Sequence, residues 1–314
     1  METAFTRLVG CRVPLQQAGM PQVATPQLAA AVADAGALGM VVPSDATAAM
    51  LEQVAAQTSG VFGINFLVPF LDLGAVEAAA TRARVVEFFY SAPDAGLVAR
   101  VHAGDALAAW QVGSADEACA AVDAGCDFVI AQGTEAGGHV RGELPLLVLL
   151  DEVLGRVEVP VIGAGGIGTA RAMAAALAAG AAGARVGTRF VASAESGAHP
   201  AYVEALVRAE ATDAVLTTVF SVGWPGAPHR VLRSCIDAAV AFADDVVGEE
   251  HLEGSVIPVP RFATPPPGRN FTGAIEAMAL YAGQSVGAVQ RIQPAAAIVA
   301  ELVGGAERLL RPWA

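Results

Sequence analysis

Eight short runs of β-branched and other apolar residues, separated by alanine-rich stretches of helical length, fill the first two-thirds of this chain and leave few folds open to it. Strands are expected at Val13–Gln17, Leu38–Val42, Phe62–Phe66, Val85–Phe89, Leu107–Val112, Phe128–Ala131, Val159–Gly163 and Ala184–Gly187. Seven helices of eight to twelve residues fit between them, which is the pattern of successive βαβ units and a parallel sheet. Eight alternations favour an α/β fold of the closed (β/α)8 TIM-barrel kind over an open sheet, although periodicity alone does not show closure. The length, 314 residues, accommodates a barrel plus a smaller element.

The rhythm breaks near residue 210. Leu216–Val222 reads as a strand and Val231–Val247 as a helix. Gly254–Asn270 holds five prolines and suits neither a helix nor a central strand. Helical sequence returns at Ala274–Tyr281 and Val286–Leu302. The expected organisation is a barrel over residues 1–210, a small inserted lid over 211–285, and a C-terminal helix over 286–314 that returns to the barrel.

Composition excludes several functions. A formal net charge of −13 argues against binding the phosphate backbone of nucleic acids. No apolar run reaches the roughly 18 residues of a membrane helix, and the N-terminus lacks the pattern of a secretory signal. All 18 basic residues are arginine. Without a lysine, neither a Schiff base on a side-chain amine nor a Walker-type phosphate loop is available. Cys11, Cys119, Cys126 and Cys235 form no CxxC pair and no zinc-like spacing with histidine, so no metal is expected and a reducing cytoplasm is the simplest setting. Self-association is compatible with the sequence, which does not fix it.

The segments that end the expected strands carry the chemistry. Gly163-Ala164-Gly165-Gly166-Ile167-Gly168 leaves the seventh, and Arg185-Val186-Gly187-Thr188-Arg189 leaves the eighth. Glycines bring backbone amides close to a ligand, and the loops after strands seven and eight of such barrels commonly bind phosphate. Thr188 adds a hydroxyl. Ala18-Gly19-Met20 after the first strand is small enough for a planar ring to lie across the barrel mouth. Asn65, at the end of the third, is either a donor and acceptor for a flat heterocycle or a turn residue. His139 closes the glycine-rich run Gln132–His139 after the sixth strand, where a titratable group reaches a substrate; on placement alone a structural role is equally open. Glu135 reads as structural, as do Trp224 and the Pro265–Gly268 turn. His102, His199, His229 and His251 are scattered and receive no role.

Together, Gln17-Ala18-Gly19-Met20, Phe62-Gly63-Ile64-Asn65, Gln132 to His139, Ala164-Gly165-Gly166-Ile167, Gly187-Thr188-Arg189-Phe190 and Tyr281-Ala282-Gly283-Gln284 resemble the nitronate monooxygenase family, in the family's order and over nearly the whole chain. The resemblance implies an FMN-dependent barrel that converts alkyl nitronates or nitroalkanes, with O2, to carbonyl compounds and nitrite. It implies that Gly165, Gly166, Gly187 and Thr188 hold the FMN phosphate. Ala18, Gly19 and Met20 would back the ring, with Asn65, Gln132 and Gly137 completing the cofactor site and His139 as the catalytic base. The same superfamily contains FMN-dependent NAD(P)H reductases of enoyl-acyl-carrier-protein or quinone type; Gln132 leans toward the monooxygenase. The chain departs from the pattern at Gln16, Gly19, Ala37 and Arg185.

Overall fold

The computed structural model describes residues 1–311. Eight strands run parallel around a barrel: β1 (Leu15–Gln17), β2 (Gly39–Val41), β3 (Phe62–Leu67), β4 (Val85–Phe89), β5 (Leu107–Val112), β6 (Phe128–Gln132), then, after a short strand β7 (Gly138–His139) that lies outside the barrel, β8 (Val161–Ala164) and β9 (Gly183–Val186). Pairing follows the order β1-β9-β8-β6-β5-β4-β3-β2. The ends meet through a parallel bridge between Gln16 and Leu38, where Leu38 N–H donates to the Leu15 carbonyl at 2.9 Å. All eight expected barrel strands form, two with the expected bounds and the others with ends displaced by one or two residues.

Alternate residues of a strand face opposite ways, and the inward set changes character along the barrel. At the bottom, Met40, Val85, Ala109, Phe128, Ile130 and Ile162 form an apolar plug with Phe5 and Val9 of an N-terminal helix, Ala4–Val9. Phe5 packs edge-on against Phe128 with ring centroids 5.5 Å apart. Two residues further on, the inward positions are polar: Asn65, Glu87, Gln111, Gln132 and Arg185. The outward residues of the strands and the inner stripes of the helices form the main core.

Seven helices alternate with the strands as expected. The eighth, Ala295–Leu310, comes only after a long insertion. It packs against the helices Pro26–Asp34 and Ala170–Ala178 and so completes the outer ring. It begins nine residues later than the sequence pattern suggested, because Gln284–Ala288 is a 3-10 turn and Pro294 sets the helix start. Residues 312–314 of the expected C-terminal helix lie outside the described residues.

The insertion differs from the sequence reading in its strands. Val231–Val247 is not one helix: β11 (His229–Leu232) precedes a helix Arg233–Ala241, and β12 (Val246–Leu252) follows. β10 (Ala214–Thr217) pairs antiparallel with β11, which pairs antiparallel with β7. The proline-rich stretch contributes β13 (Ser255–Pro260), at one edge of a second sheet ordered β13-β12-β14, with β14 at Phe271–Gly273. Pro258 and Pro260 are tolerated there because an edge strand leaves one side of its backbone unpaired.

Candidate active site

A cavity of about 490 Å3 opens at the C-terminal ends of the barrel strands and is roofed by the insertion. Every residue expected at a cofactor or catalytic position lines it: Ala18, Gly19, Met20, Asn65, Gln132, Gly137, His139, Gly165, Gly166, Gly187 and Thr188. The insertion contributes Trp224, Thr264, Pro265, Pro266 and Tyr281, residues that the sequence left as structural or undecided.

On one side stand the two glycine turns. Gly165 and Gly166 have φ of +102° and +69°, a left-handed pair closed to most side chains. A Cβ on Gly165 would lie 2.8 Å from the Gly133 carbonyl oxygen. Gly187 has an ordinary φ, and a Cβ there would meet only Ala18 and Met20 side chains at 3.5 and 3.6 Å, within the cavity wall. The Thr188 hydroxyl accepts from Gly283 N–H at 3.0 Å and keeps its own proton to donate. Glu135 accepts from Leu146 N–H through both carboxylate oxygens at 3.0 Å, capping the helix Leu146–Leu154; its role is structural, as expected.

On the other side is His139. The pairing of β7 with β11 sets it opposite His229. Its ring stacks on Trp224 (centroids 4.0 Å apart, planes at 25°), with Tyr90 and Tyr281 at 5.9 and 5.7 Å. Its Nε2 is buried and has no hydrogen-bond partner. Burial, reinforced by His229, lowers its pKa from 6.5 to about 3, so the imidazole is neutral at pH 7. Gln132 holds the segment by donating Nε2–H to the His139 carbonyl at 3.1 Å, while its Oε1 is left unpaired.

The floor is a polar cluster that the sequence did not reveal. Arg185 Nη1 donates to Glu87 Oε1 at 2.5 Å and to Gln111 Oε1 at 2.6 Å. Asn65 Nδ2 and Gln16 Nε2 donate to the same carboxylate at 2.6 and 2.8 Å. Asn65 is thus no turn residue; its amide is committed to Glu87 while its side chain lines the cavity. Tyr90, at the end of β4, has φ +73° and lies 6.0 Å from the Arg141 guanidinium. The only advance signal for Glu87 was a carboxylate in an apolar run, Val85-Val86-Glu87-Phe88-Phe89. Among the described residues no group of three or more histidine, cysteine, aspartate or glutamate side chains could hold a metal ion, and no helix is long and apolar enough to cross a membrane.

The sequence profile of the family described as nitronate monooxygenase matches residues 2–78 and 73–305 of the chain. The chain belongs to the nitronate monooxygenase family. It is therefore a flavin-dependent oxidoreductase. Its relatives within that family are diverse. It is 29% identical to nitroalkane oxidase from Streptomyces ansochromogenes, with a TM-score of 0.77 over 99% of this chain and 100% of that one. FabK from Thermotoga maritima is also 29% identical, with a TM-score of 0.80 over 100% of this chain and 98% of that one. A (3aS,4S,5R,7aS)-5-hydroxy-7a-methyl-1-oxo-octahydro-1H-indene-4-carboxyl-CoA dehydrogenase from Mycobacterium tuberculosis is 36% identical over 74% of this chain and 67% of that protein. For the corresponding dehydrogenase of Rhodococcus jostii the figures are 35%, 74% and 66%, so the match spans about two-thirds of these proteins.

Proposed function

We propose that the protein holds FMN in this cavity and oxidises alkyl nitronates, or the parent nitroalkanes, with O2 to carbonyl compounds and nitrite. The reading rests above all on one juxtaposition: a glycine-built anion cradle and a buried, unpartnered imidazole nitrogen line the same cavity. The residues present suit FMN. Gly165, Gly166, Gly187 and Thr188 offer backbone amides and a hydroxyl to the phosphate. Ala18, Gly19 and Met20 leave room for the ring, and the free Gln132 Oε1 with the Asn65 and Gly137 edges would complete its binding. FMN, when bound, accepts electrons from the organic substrate and passes them to O2. Two nitronates and one O2 balance two carbonyl compounds and two nitrites.

The chain's own residues do the rest. His139 accepts the α-proton of a neutral nitroalkane at Nε2. Its neutrality in the free enzyme keeps that nitrogen available, and the anion formed beside it raises its pKa and retains the proton. With a ready-made nitronate, His139 has only to orient and balance the anion. Trp224, Tyr281 and the Pro265–Pro266 edge cover the reacting carbon and exclude water.

A second reading, an FMN-dependent NAD(P)H reductase, is kept because two relatives are described as carboxyl-CoA dehydrogenases and not as monooxygenases. Anaerobic mixing of the purified flavoprotein with propyl-2-nitronate, NADH or NADPH separates the two. Bleaching of the flavin by the nitronate and not by the pyridine nucleotides is the expected result. Rapid bleaching by NADH or NADPH alone rejects the monooxygenase assignment.

A further inference from the structure

We propose that the Arg185–Glu87 pair is an oriented buried charge that raises the electron affinity of the cofactor ring. The inference rests on the FMN reading above. Arg185 is 6% exposed and lines the cavity, whereas Glu87 is fully buried and does not. The carboxylate is held away from the cavity by Gln16 and Asn65, at 2.8 and 2.6 Å. Among the described residues, Arg185 makes its hydrogen bonds through Nη1 alone. The pair therefore presents its positive end, with unused guanidinium donors, to the cavity.

Packing does not explain such a pair. Burying two charges costs several kcal/mol in desolvation, and apolar residues of equal volume fill a barrel layer at least as well. Its place explains more. Arg185 lies on β9, two residues before the Gly187 turn and about 7 Å from it along the chain, so a ring extending from that cradle across the mouth would pass over it. The guanidinium donors and the unpaired Gln132 Oε1 together match a ring edge that offers a carbonyl beside an N–H. When the oxidised ring takes up two electrons and one proton it gains one negative charge. A fixed positive charge nearby stabilises the reduced form over the oxidised one, and in this dry setting solvent screens it little.

Arg185→Ala would strand the Glu87 carboxylate and is a poor test. Two near-isosteric changes serve better: Glu87→Gln, which leaves the guanidinium uncompensated, and Arg185→Gln with Glu87→Gln, which leaves no charge. The readouts are the midpoint potential of bound FMN and the affinity of the oxidised flavin for sulfite, whose adduct also places negative charge on the ring. Glu87→Gln is expected to shift the reduction equilibrium at least tenfold toward the reduced form, about 30 mV for a two-electron couple, and to tighten sulfite binding. The neutral double variant is expected to shift both quantities the opposite way by a similar factor. Either variant alone fixes the sign should the other fail to fold. FMN bound normally in all three proteins, with potentials and sulfite affinities unchanged or moved in the reverse order, overturns the inference and leaves the FMN reading standing. A wild-type protein that neither purifies with FMN nor takes it up overturns both.

Discussion

At the level of single residues the site is organised around one group kept neutral. His139 is neutral because it is buried beside His229, and its pKa near 3 gives two expectations. The base form is lost only as pH falls through the folded pKa, so kcat/KM for a nitroalkane should show no acidic limb near pH 6.5; a limb there in a pH–rate profile rejects the neutral-base assignment. Because the unfolded imidazole titrates near 6.5, the unfolded chain binds a proton first, and stability should decline as pH falls from about 6.5 toward 3. Replacing His139 by Gln should remove part of that decline, as read from urea midpoints at pH 7 and 5. His139→Ala should lower nitroalkane turnover about 10²–10⁴-fold and nitronate turnover much less; equal small effects on both substrates reject the role. Among the glycines, Gly187→Ala is the informative change. Its backbone tolerates a side chain, so stability should be nearly unchanged while FMN affinity drops; unchanged affinity in a fluorescence titration removes Gly187 from the cradle.

Secondary-structure elements decide where His139 stands. β7 is only two residues long, and no sequence periodicity announces a strand of that length. It exists because β11 supplies its hydrogen-bonding partner. Arg230 of β11 reinforces the arrangement by donating to the Thr134 carbonyl at 2.7 and 3.1 Å and to the Ala214 carbonyl at 2.9 Å. Arg230→Ala should therefore cost about 1–3 kcal/mol through stranded carbonyls, visible as a lower melting temperature, and should weaken catalysis although Arg230 does not line the cavity. The loop before β11 carries Trp224, which also meets Phe70 and Tyr90 edge-on at 5.0 and 4.5 Å. Its removal wets the imidazole, so Trp224→Ala should raise the His139 pKa toward 6.5 and bring an acidic limb into the pH–rate profile. A profile as flat as the wild type's would show that Trp224 does not shield the base.

Across the whole molecule, the interrupted eighth βα unit ties roof to barrel. Arg189, 4% exposed, donates to both oxygens of Glu301 at 3.0 Å, to the Gly168 carbonyl at 2.8 Å and to Gln293 Oε1 at 3.1 Å. It thus joins the turn after β8, the returning segment and the last helix. Hydrogen bonding to Arg189 lowers the Glu301 pKa. That contribution is present above the unfolded carboxylate value and lost as pH falls through the folded one. Glu301→Gln should thus lower the denaturation midpoint at pH 7 and converge with wild type in acid; a constant difference at all pH values would show that the charge is immaterial.

The sequence by itself determined the barrel and the two glycine turns at its mouth, because both are written in local terms: short apolar runs, helical spacers, and glycines that include the left-handed pair Gly165 and Gly166. It also marked His139 and the aromatic and proline segments, though not their relation. Gln16 and Arg185 stood out only as departures from the family pattern, and the fold brings both to Glu87. Whether an inward-facing residue belongs to the plug or the cavity depends on its height in the closed barrel, and no single strand records that. The partners of His139 come from residues 90, 224, 229 and 281, far apart in the chain. Tertiary structure alone brought them together, since each contact forms only when the insertion folds back over the mouth and lends β7 its missing strand.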